Sequence, residues 1–181
     1  MIEINNKKKI ALIYGSDTGT TEGIAKELEK LLLTYFDIEI LDMYKVKIED
    51  FDRYNYFVLG LSTWYDGELQ NDWYSFFDQF CKIDFTNKVI AIFGLGDQYG
   101  YGEYFVDGVG ILATQVEKSG GKIIGKWPTD GYEFDESKAL INEKLFYGLA
   151  IDEDNQGELT TERIENWVGQ LKEEFSSFIN T

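Results

Sequence analysis

Ile10-Ala11-Leu12-Ile13-Tyr14, followed at once by Gly15-Ser16-Asp17-Thr18-Gly19-Thr20-Thr21-Glu22, is the stretch on which the fold turns. An unbroken apolar run that stops at a glycine is the pattern of a strand buried on both faces. Beyond the polar segment, Ile24, Leu28, Leu31, Leu32 and Tyr35 fall on one stripe of a helix. The segment between them carries four hydroxyls and two glycines and ends in a helix N-terminus. The first N–H groups of a helix have no partner within it, and the helix dipole there favours an anion. The loop therefore suits a phosphate, although an ordinary Ser/Thr-rich helix cap would look the same. It lacks the Gly-Lys-Ser/Thr ending of a Walker A loop and is not Gly-x-Gly-x-x-Gly.

The same alternation continues along the chain. Residues 38–41 form a short strand and residues 56–61 (YFVLGL) a second buried run. A helix is expected over residues 69–80, and residues 89–93 (VIAIF) make a third central strand. Val109, Leu112, Ala113 and Val116 mark another helix, which Gly120-Gly121 stops before a strand at Ile123-Ile124. Residues 129–147 are polar and irregular, and residues 148–151 read as strand again. Thr160 or Thr161 would cap a last helix, with Glu162 in its first turn and Ile164, Trp167, Val168, Leu171, Phe175 and Phe178 on its apolar face. Alternating strands and helices, with the strands buried, imply an α/β fold with helices on both faces of a parallel sheet. Residues 129–147 read as an insertion into the last strand, too short for a core of its own, so residues 1–181 form a single domain.

Composition narrows the chemistry. Lys and Arg number 17 against 33 Asp and Glu, a formal charge of −16, and histidine is absent. Such a charge argues against nucleic acid and against an anionic membrane surface, and favours basic protein partners. Without histidine there is no Ser-His-Asp triad and no histidine metal site. The single cysteine, Cys81, forms no internal disulfide and is expected to be a small buried hydrophobe. The N-terminal segment, with Lys7-Lys8-Lys9, has no apolar run suited to a signal peptide, and no run reaches membrane-spanning length. A cytoplasmic location is expected. Asp152-x-Asp154-x-Gln156-Gly157 imitates the start of an EF-hand, but the twelfth position is Arg163 where a bidentate Glu belongs.

In an open parallel sheet, ligands sit beyond the carboxyl ends of the strands, so two further loops should join the first. One is Ser62-Thr63-Trp64-Tyr65-Asp66-Gly67-Glu68-Leu69, whose Trp64 could stack on a flat ligand, fold back on the sheet edge or anchor a partner. The other is Gly94-Leu95-Gly96-Asp97-Gln98-Tyr99-Gly100-Tyr101-Gly102-Glu103, in which glycines allow close backbone approach and Asp97 could accept from ring N–H groups. No Lys or Arg occurs in residues 10–25, 54–81 or 89–117. A phosphate bound there meets only neutral donors, and a ring bound there sits among Asp66, Glu68, Asp97 and Glu103.

Taken together, these residues resemble the flavodoxin family. Ser16-Asp17-Thr18-Gly19-Thr20-Thr21 is similar to its FMN phosphate loop, and Thr63-Trp64 through Gly67, with Glu68-Leu69 and Asp72-Trp73, to the loop whose Trp stacks on the flavin. Gly94-Leu95-Gly96-Asp97-Gln98 with Tyr101 resembles the loop whose Tyr covers the other flavin face. The likeness continues through Gly120-Gly121-Lys122, Thr129-Asp130-Gly131-Tyr132, Ser137-Lys138-Ala139 and residues 148–156, which is nearly the whole chain. Ser62 departs from the proline the family prefers.

The resemblance implies a flavodoxin-like three-layer sandwich. Its five-stranded parallel sheet would have the order 2-1-3-4-5, the last strand interrupted as in the long-chain subgroup. It implies FMN as cofactor, held by Ser16, Asp17, Thr18, Gly19, Thr20, Thr21, Ser62, Thr63, Trp64, Tyr65, Asp66, Gly67, Leu95, Gly96, Asp97 and Tyr101, with Asp154 near the ribityl chain. In the family a peptide beside flavin N5 reorients with redox state, and Gly67 would ease that movement of the 65–67 turn. The implied function is low-potential one-electron transfer by a monomer that is not an enzyme. Its partners would be redox proteins, flavodoxin or ferredoxin reductases and oxidoreductases, with basic docking faces. The rivals are a quinone-reducing flavoenzyme on the same fold, a phospho-accepting receiver domain, which would need an Asp where Ser62-Thr63-Trp64 stands, and a flavin-free adaptor.

Overall fold

The computed structural model describes residues 8–181; residues 1–7, including most of the segment read as lacking a leader, lie outside the described residues. In chain order the elements are β1 (Ile10–Tyr14), α1 (Thr20–Leu32), β2 (Ile38–Asp42), β3 (Tyr56–Trp64), β4 (Glu68–Leu69) and α2 (Asn71–Phe80). There follow β5 (Val89–Leu95), α3 (Asp107–Lys118), β6 (Lys122–Ile124), β7 (Trp127–Pro128), β8 (Leu140–Asn142), β9 (Leu145–Phe146) and β10 (Leu149–Ile151). The single turn α4 (Glu153–Gln156) and the long α5 (Thr160–Ile179) complete the chain.

The parallel sheet runs β2-β1-β3-β5, and β6 and β10 share the far edge. β6 pairs with the start of β5, at Val89, Ile90 and Ala91, and β10 with its end, at Phe93, Gly94 and Leu95. These are the two halves of one interrupted strand, so the order is the expected 2-1-3-4-5. Side-chain alternation divides the core. Ile10, Leu12, Val58, Ala91 and Phe93 face α1 and α5, packing with Leu28, Ile164, Trp167 and Leu171. Ala11, Ile13, Phe57, Leu59, Ile90 and Ile92 face the other way, against Trp73, Phe80, Val109, Leu112 and Val116 of α2 and α3. A strand that buries every side chain has no polar face, which is why β1 and β5 read as pure apolar runs.

Several expectations need correction. The strand expected over residues 56–61 continues through Ser62, Thr63 and Trp64, because Thr63 and Trp64 pair with Leu69 and Glu68 in an antiparallel hairpin. Leu69 thus belongs to β4, and α2 begins at Asn71. Cys81 is exposed at the end of α2, not a core hydrophobe. Neither threonine caps α5: Leu159 occupies that position, and the Thr160 hydroxyl bonds to the Glu153 carboxylate.

Residues 129–147 are not irregular throughout. β8 and β9 join β7 in a small antiparallel sheet of order β7-β9-β8. Its apolar residues are continuous with the main core: Ala139 and Phe146 are fully buried, and Tyr132, Phe134 and Leu140 pack against the same cluster. Phe105, Tyr132, Phe134 and Phe146 form one aromatic knot, with ring centroids 5.3–6.0 Å apart. The Tyr132 hydroxyl donates to the Ala150 carbonyl at 2.5 Å and accepts from the Trp127 indole at 2.9 Å. The insertion thereby satisfies a polar group of the edge strand β10. Tyr132→Phe removes this bridge and leaves two partners unsatisfied. It should cost about 1–3 kcal/mol, read as a lowered urea midpoint with an unchanged slope.

Candidate functional site

Four segments meet at the carboxyl edge of the sheet around a cleft of about 350 Å³. That volume lies within the range of small-molecule sites. The lining residues come from the loop after β1 (Asp17, Thr18, Thr20, Thr21), the end of β3 and its turn (Ser62, Thr63, Trp64, Tyr65), the end of β5 and its loop (Leu95, Gly96, Asp97, Tyr101), and α4 (Glu153, Asp154). Of the residues read from the sequence, Ser16, Gly19, Asp66 and Gly67 do not line it. The Ser16 hydroxyl accepts from the Gly19 N–H at 3.0 Å, and Gly19 takes the left-handed conformation, φ 92°, that starts α1. Asp66 and Gly67 lie in the hairpin turn between β3 and β4.

One end of the cleft is built for an anion. α1 starts with no side-chain cap, so its first N–H groups stay available next to the hydroxyls of Thr18, Thr20 and Thr21. The indole Nε1 of Trp64 is buried with no hydrogen-bond partner among the described residues. A buried donor without an acceptor costs free energy unless a ligand provides one. The Asp17 carboxylate is already engaged, accepting from Gln70 Nε2 at 3.0 Å and Asn71 Nδ2 at 3.2 Å. It ties the first loop to α2. The other walls are flat or apolar: Trp64, Tyr65, Leu95 and Tyr101, with Tyr65 and Tyr101 at least half exposed.

Side chains that sequence reasoning missed hold these walls in place. Gln70 is fully buried; its Oε1 accepts from the N–H groups of Asp72 and Trp73, and so caps α2, while Nε2 reaches Asp17. Asp152, also fully buried, accepts from the Gln98 N–H at 3.0 Å, from Gln98 Nε2 at 2.8 Å and from the Asn155 N–H at 3.1 Å. It fixes the loop after β5 to α4, and Asn155 Nδ2 completes the link by donating to Asp97 at 2.8 Å. Asp152 directly after an apolar strand carried a helix-cap signal that pointed here. Glu153, a further cleft residue, carried none.

Two carboxyl groups at the site are driven in opposite directions. At Asp97 burial works to raise the pKa, but the N–H of Gly100, Asn155 Nδ2 and the N–H of Tyr99 outweigh it and hold the carboxyl below its ordinary value. Asp107, in the first turn of α3 and 1% exposed, is pushed above it by burial, which the Lys138 N–H and ammonium only partly offset; Glu136 adds to the upward push. For Asp97 the carboxylate is the form the fold stabilises. Its contribution is complete above the unfolded-state value near 3.8 and disappears as pH falls through the lower folded value. Asp97→Asn should therefore flatten the acid limb of a plot of apoprotein stability against pH below about pH 4 and leave its neutral shape unchanged. Urea unfolding at a series of pH values checks this, and parallel acid limbs would contradict it.

A doubly wound sheet whose carboxyl edge joins an anion cradle to aromatic walls defines a ligand-binding α/β protein. The family model described as Flavodoxin matches residues 12–167. The chain is 47% identical over 165 residues to a flavodoxin of Haemophilus influenzae, covering 91% of this chain and 94% of that protein. It is 48% identical over 164 residues to a flavodoxin of Synechocystis, covering 91% and 96%. The crystal structure of Fusobacterium nucleatum flavodoxin bound to flavin mononucleotide superimposes with a TM-score of 0.87 at 36% identity, covering 93% of this chain and 99% of that one. The chain belongs to the flavodoxin family.

Proposed function

We propose that the chain, a single domain working as a cytoplasmic monomer, holds one FMN in this cleft. It carries single electrons between redox proteins and turns over no substrate of its own. The observation that carries this reading is that one cleft is lined both by the Thr-rich loop at the uncapped start of α1 and by the rings of Trp64, Tyr65 and Tyr101, with Trp64 Nε1 buried and unpartnered among the described residues. A phosphate suits the free N–H groups and hydroxyls at the start of α1, and a planar ring suits the aromatic walls, so the residues present fit the cofactor that family membership implies. FMN, when bound, supplies the one-electron chemistry.

The chain's own residues divide the work. The backbone of residues 16–21 and the hydroxyls of Thr18, Thr20 and Thr21 receive the phosphate, with Ser16 and Gly19 shaping the loop. Trp64 and Tyr101 cover the ring, and Tyr65, Asp66 and Gly67 make the turn beside it. Ser62, Thr63, Leu95 and Gly96 supply backbone and apolar edge. Asp97 accepts from ring N–H groups, and Asp154 serves the ribityl chain. Among the described residues no lysine or arginine lines the cleft, whereas Asp17, Asp97, Glu153 and Asp154 do. A carboxylate about 10 Å from an added negative charge raises its energy by roughly 0.4 kcal/mol in a water-like dielectric. For a one-electron couple about 0.7 kcal/mol corresponds to roughly 30 mV. Four such groups lower the potential by on the order of 70 mV, less where salt screens them.

Purified apoprotein should take up FMN with one-to-one stoichiometry, and stepwise reduction should show two separated one-electron midpoints. A single two-electron step would favour a quinone-reducing enzyme instead. Trp64→Ala and Tyr101→Ala should each weaken FMN binding, on the order of tenfold for the loss of a stacking face. Unchanged affinity in both would remove the stacking assignment. The −16 charge supports docking to a basic face. Electron exchange with a basic redox protein should slow steeply as ionic strength rises, and a stopped-flow rate indifferent to salt would count against it.

A further inference from the structure

One of the buried side chains that join the inserted segment to the site is Asp107. The Asp107 carboxyl lies between the insertion and the 65–67 turn. Its Oδ1 accepts from the Lys138 N–H at 2.8 Å, and its Oδ2 is 3.9 Å from the Lys138 ammonium. On its other side it abuts Gly67, where a Cβ would come within 2.6 Å of Oδ2 and 3.2 Å of the Tyr104 ring. The neighbouring N–H, that of Gly108, donates to the Thr63 hydroxyl at 2.9 Å, so the start of α3 grips both ends of the hairpin.

Backbone conformation singles out the same junction. Tyr65 has φ 45°, Gly67 φ 87° and Val106 φ 48°. A β-branched residue in the left-handed region is an outlier that persists only where its surroundings impose it. Here the insertion imposes it. The Phe105 N–H donates to the Glu136 carbonyl, the Ser137 hydroxyl donates to the Phe105 carbonyl, and the Asp135 and Glu136 N–H groups donate to the Gly102 carbonyl. The strained turn in the cleft wall and the strained start of α3 therefore meet at the Asp107 carboxyl.

We infer that Asp107 is a positioning residue for the electron-transfer site: held by Lys138 of the insertion, it fixes the 65–67 turn and so sets FMN affinity and midpoint potentials. This rests on the reading that FMN occupies the cleft. The contacts that do the positioning are the hydrogen bond from the Lys138 N–H and the packing against Gly67, both of which depend on the shape of the side chain. Asn at this position keeps the acceptor for the Lys138 N–H and the bulk under Gly67, whereas Ala loses both.

The test compares Asp107→Asn and Asp107→Ala with wild type. Amide hydrogen exchange is followed at residues 65–67 of the apoprotein, and FMN titration and both midpoints are then measured. Asp107→Ala should exchange about tenfold faster in the turn, bind FMN about tenfold more weakly and change the separation of the midpoints, as expected when one buried hydrogen bond is lost. Asp107→Asn should stay within about threefold of wild type in exchange and affinity. If Asp107→Ala does not fold, Asp107→Ser, too short to reach the Lys138 N–H, takes its place. Wild-type values in the truncated variant overturn the proposal. So does an Asn variant as impaired as Ala, since charge would then be the cause. Trp64→Ala in the same titration separates the two readings. If it weakens FMN binding while the Asp107 variants do not, only the Asp107 proposal falls. If it too has no effect, the cleft assignment falls, and the Asp107 proposal with it.

Discussion

The side-chain amide of Gln70 is shut away from solvent beneath the cleft, and burial obliges it to find partners for both its donor and its acceptor. Its oxygen takes the first N–H groups of α2, and its nitrogen bonds to Asp17 in the loop after β1. Its backbone N–H donates to the Ser62 carbonyl on β3. One residue thus locks the anion-binding loop to the strand that delivers Trp64. It can do so only because Gly15 lacks a Cβ, which would collide with the Gln70 amide. The geometry of the cleft therefore depends on a polar group that cannot be left unsatisfied, not on loop sequences acting separately.

Asp152 plays the equivalent part on the other side. It draws together the loop after β5, the end of β10 and the α4 turn. The Gln98 Oε1 then accepts from the Glu133 N–H, extending the same network into the insertion. Two buried polar hubs, each nearly saturated with partners, flank one cleft. Such networks are rigid when complete and costly when broken. A protein that must accept and release an electron with little rearrangement benefits from walls held in this way, because the polar environment is set before the charge arrives.

The parts of this architecture that were legible in the sequence are those governed by periodicity. β1, β3 and β5 are buried on both faces and so appear as apolar runs, and α5 shows its core stripe openly. The loop after β1, Trp64, Asp97 and Tyr101 were legible because glycines, hydroxyls and aromatics at strand ends have a limited set of uses. What failed depended on partners far along the chain. Ser62 to Trp64 looked like loop because a polar strand end does not reveal that β4 folds back to pair with it. Residues 129–147 looked irregular because strands of two or three residues are too short for alternation to register. The roles of Gln70 and Asp107, and the link from Asp152 to Gln98, are fixed by hydrogen bonds spanning tens of residues, for which local pattern has no signal.

The charge pattern of the sequence has a counterpart in the lining of the cleft. Most phosphate sites recruit a cation, whereas the loop after β1 offers an uncapped helix start and the hydroxyls of Thr18, Thr20 and Thr21, all neutral. The buried cations are employed elsewhere. Lys88 donates to the carbonyls of Phe51 and Tyr54, and Arg163 lies over the Tyr132 ring at 4.1 Å and donates to Gln156. A lysine or arginine in the cleft would tighten the grip on a phosphate but would also stabilise any electron added nearby. Neutral dipoles would avoid that exchange, since they can bind an anion through short-range hydrogen bonds and leave the longer-range field to the carboxylates. On the proposed reading affinity and potential would be set by different groups, and the absence of Lys and Arg from residues 10–25, 54–81 and 89–117 fits that separation.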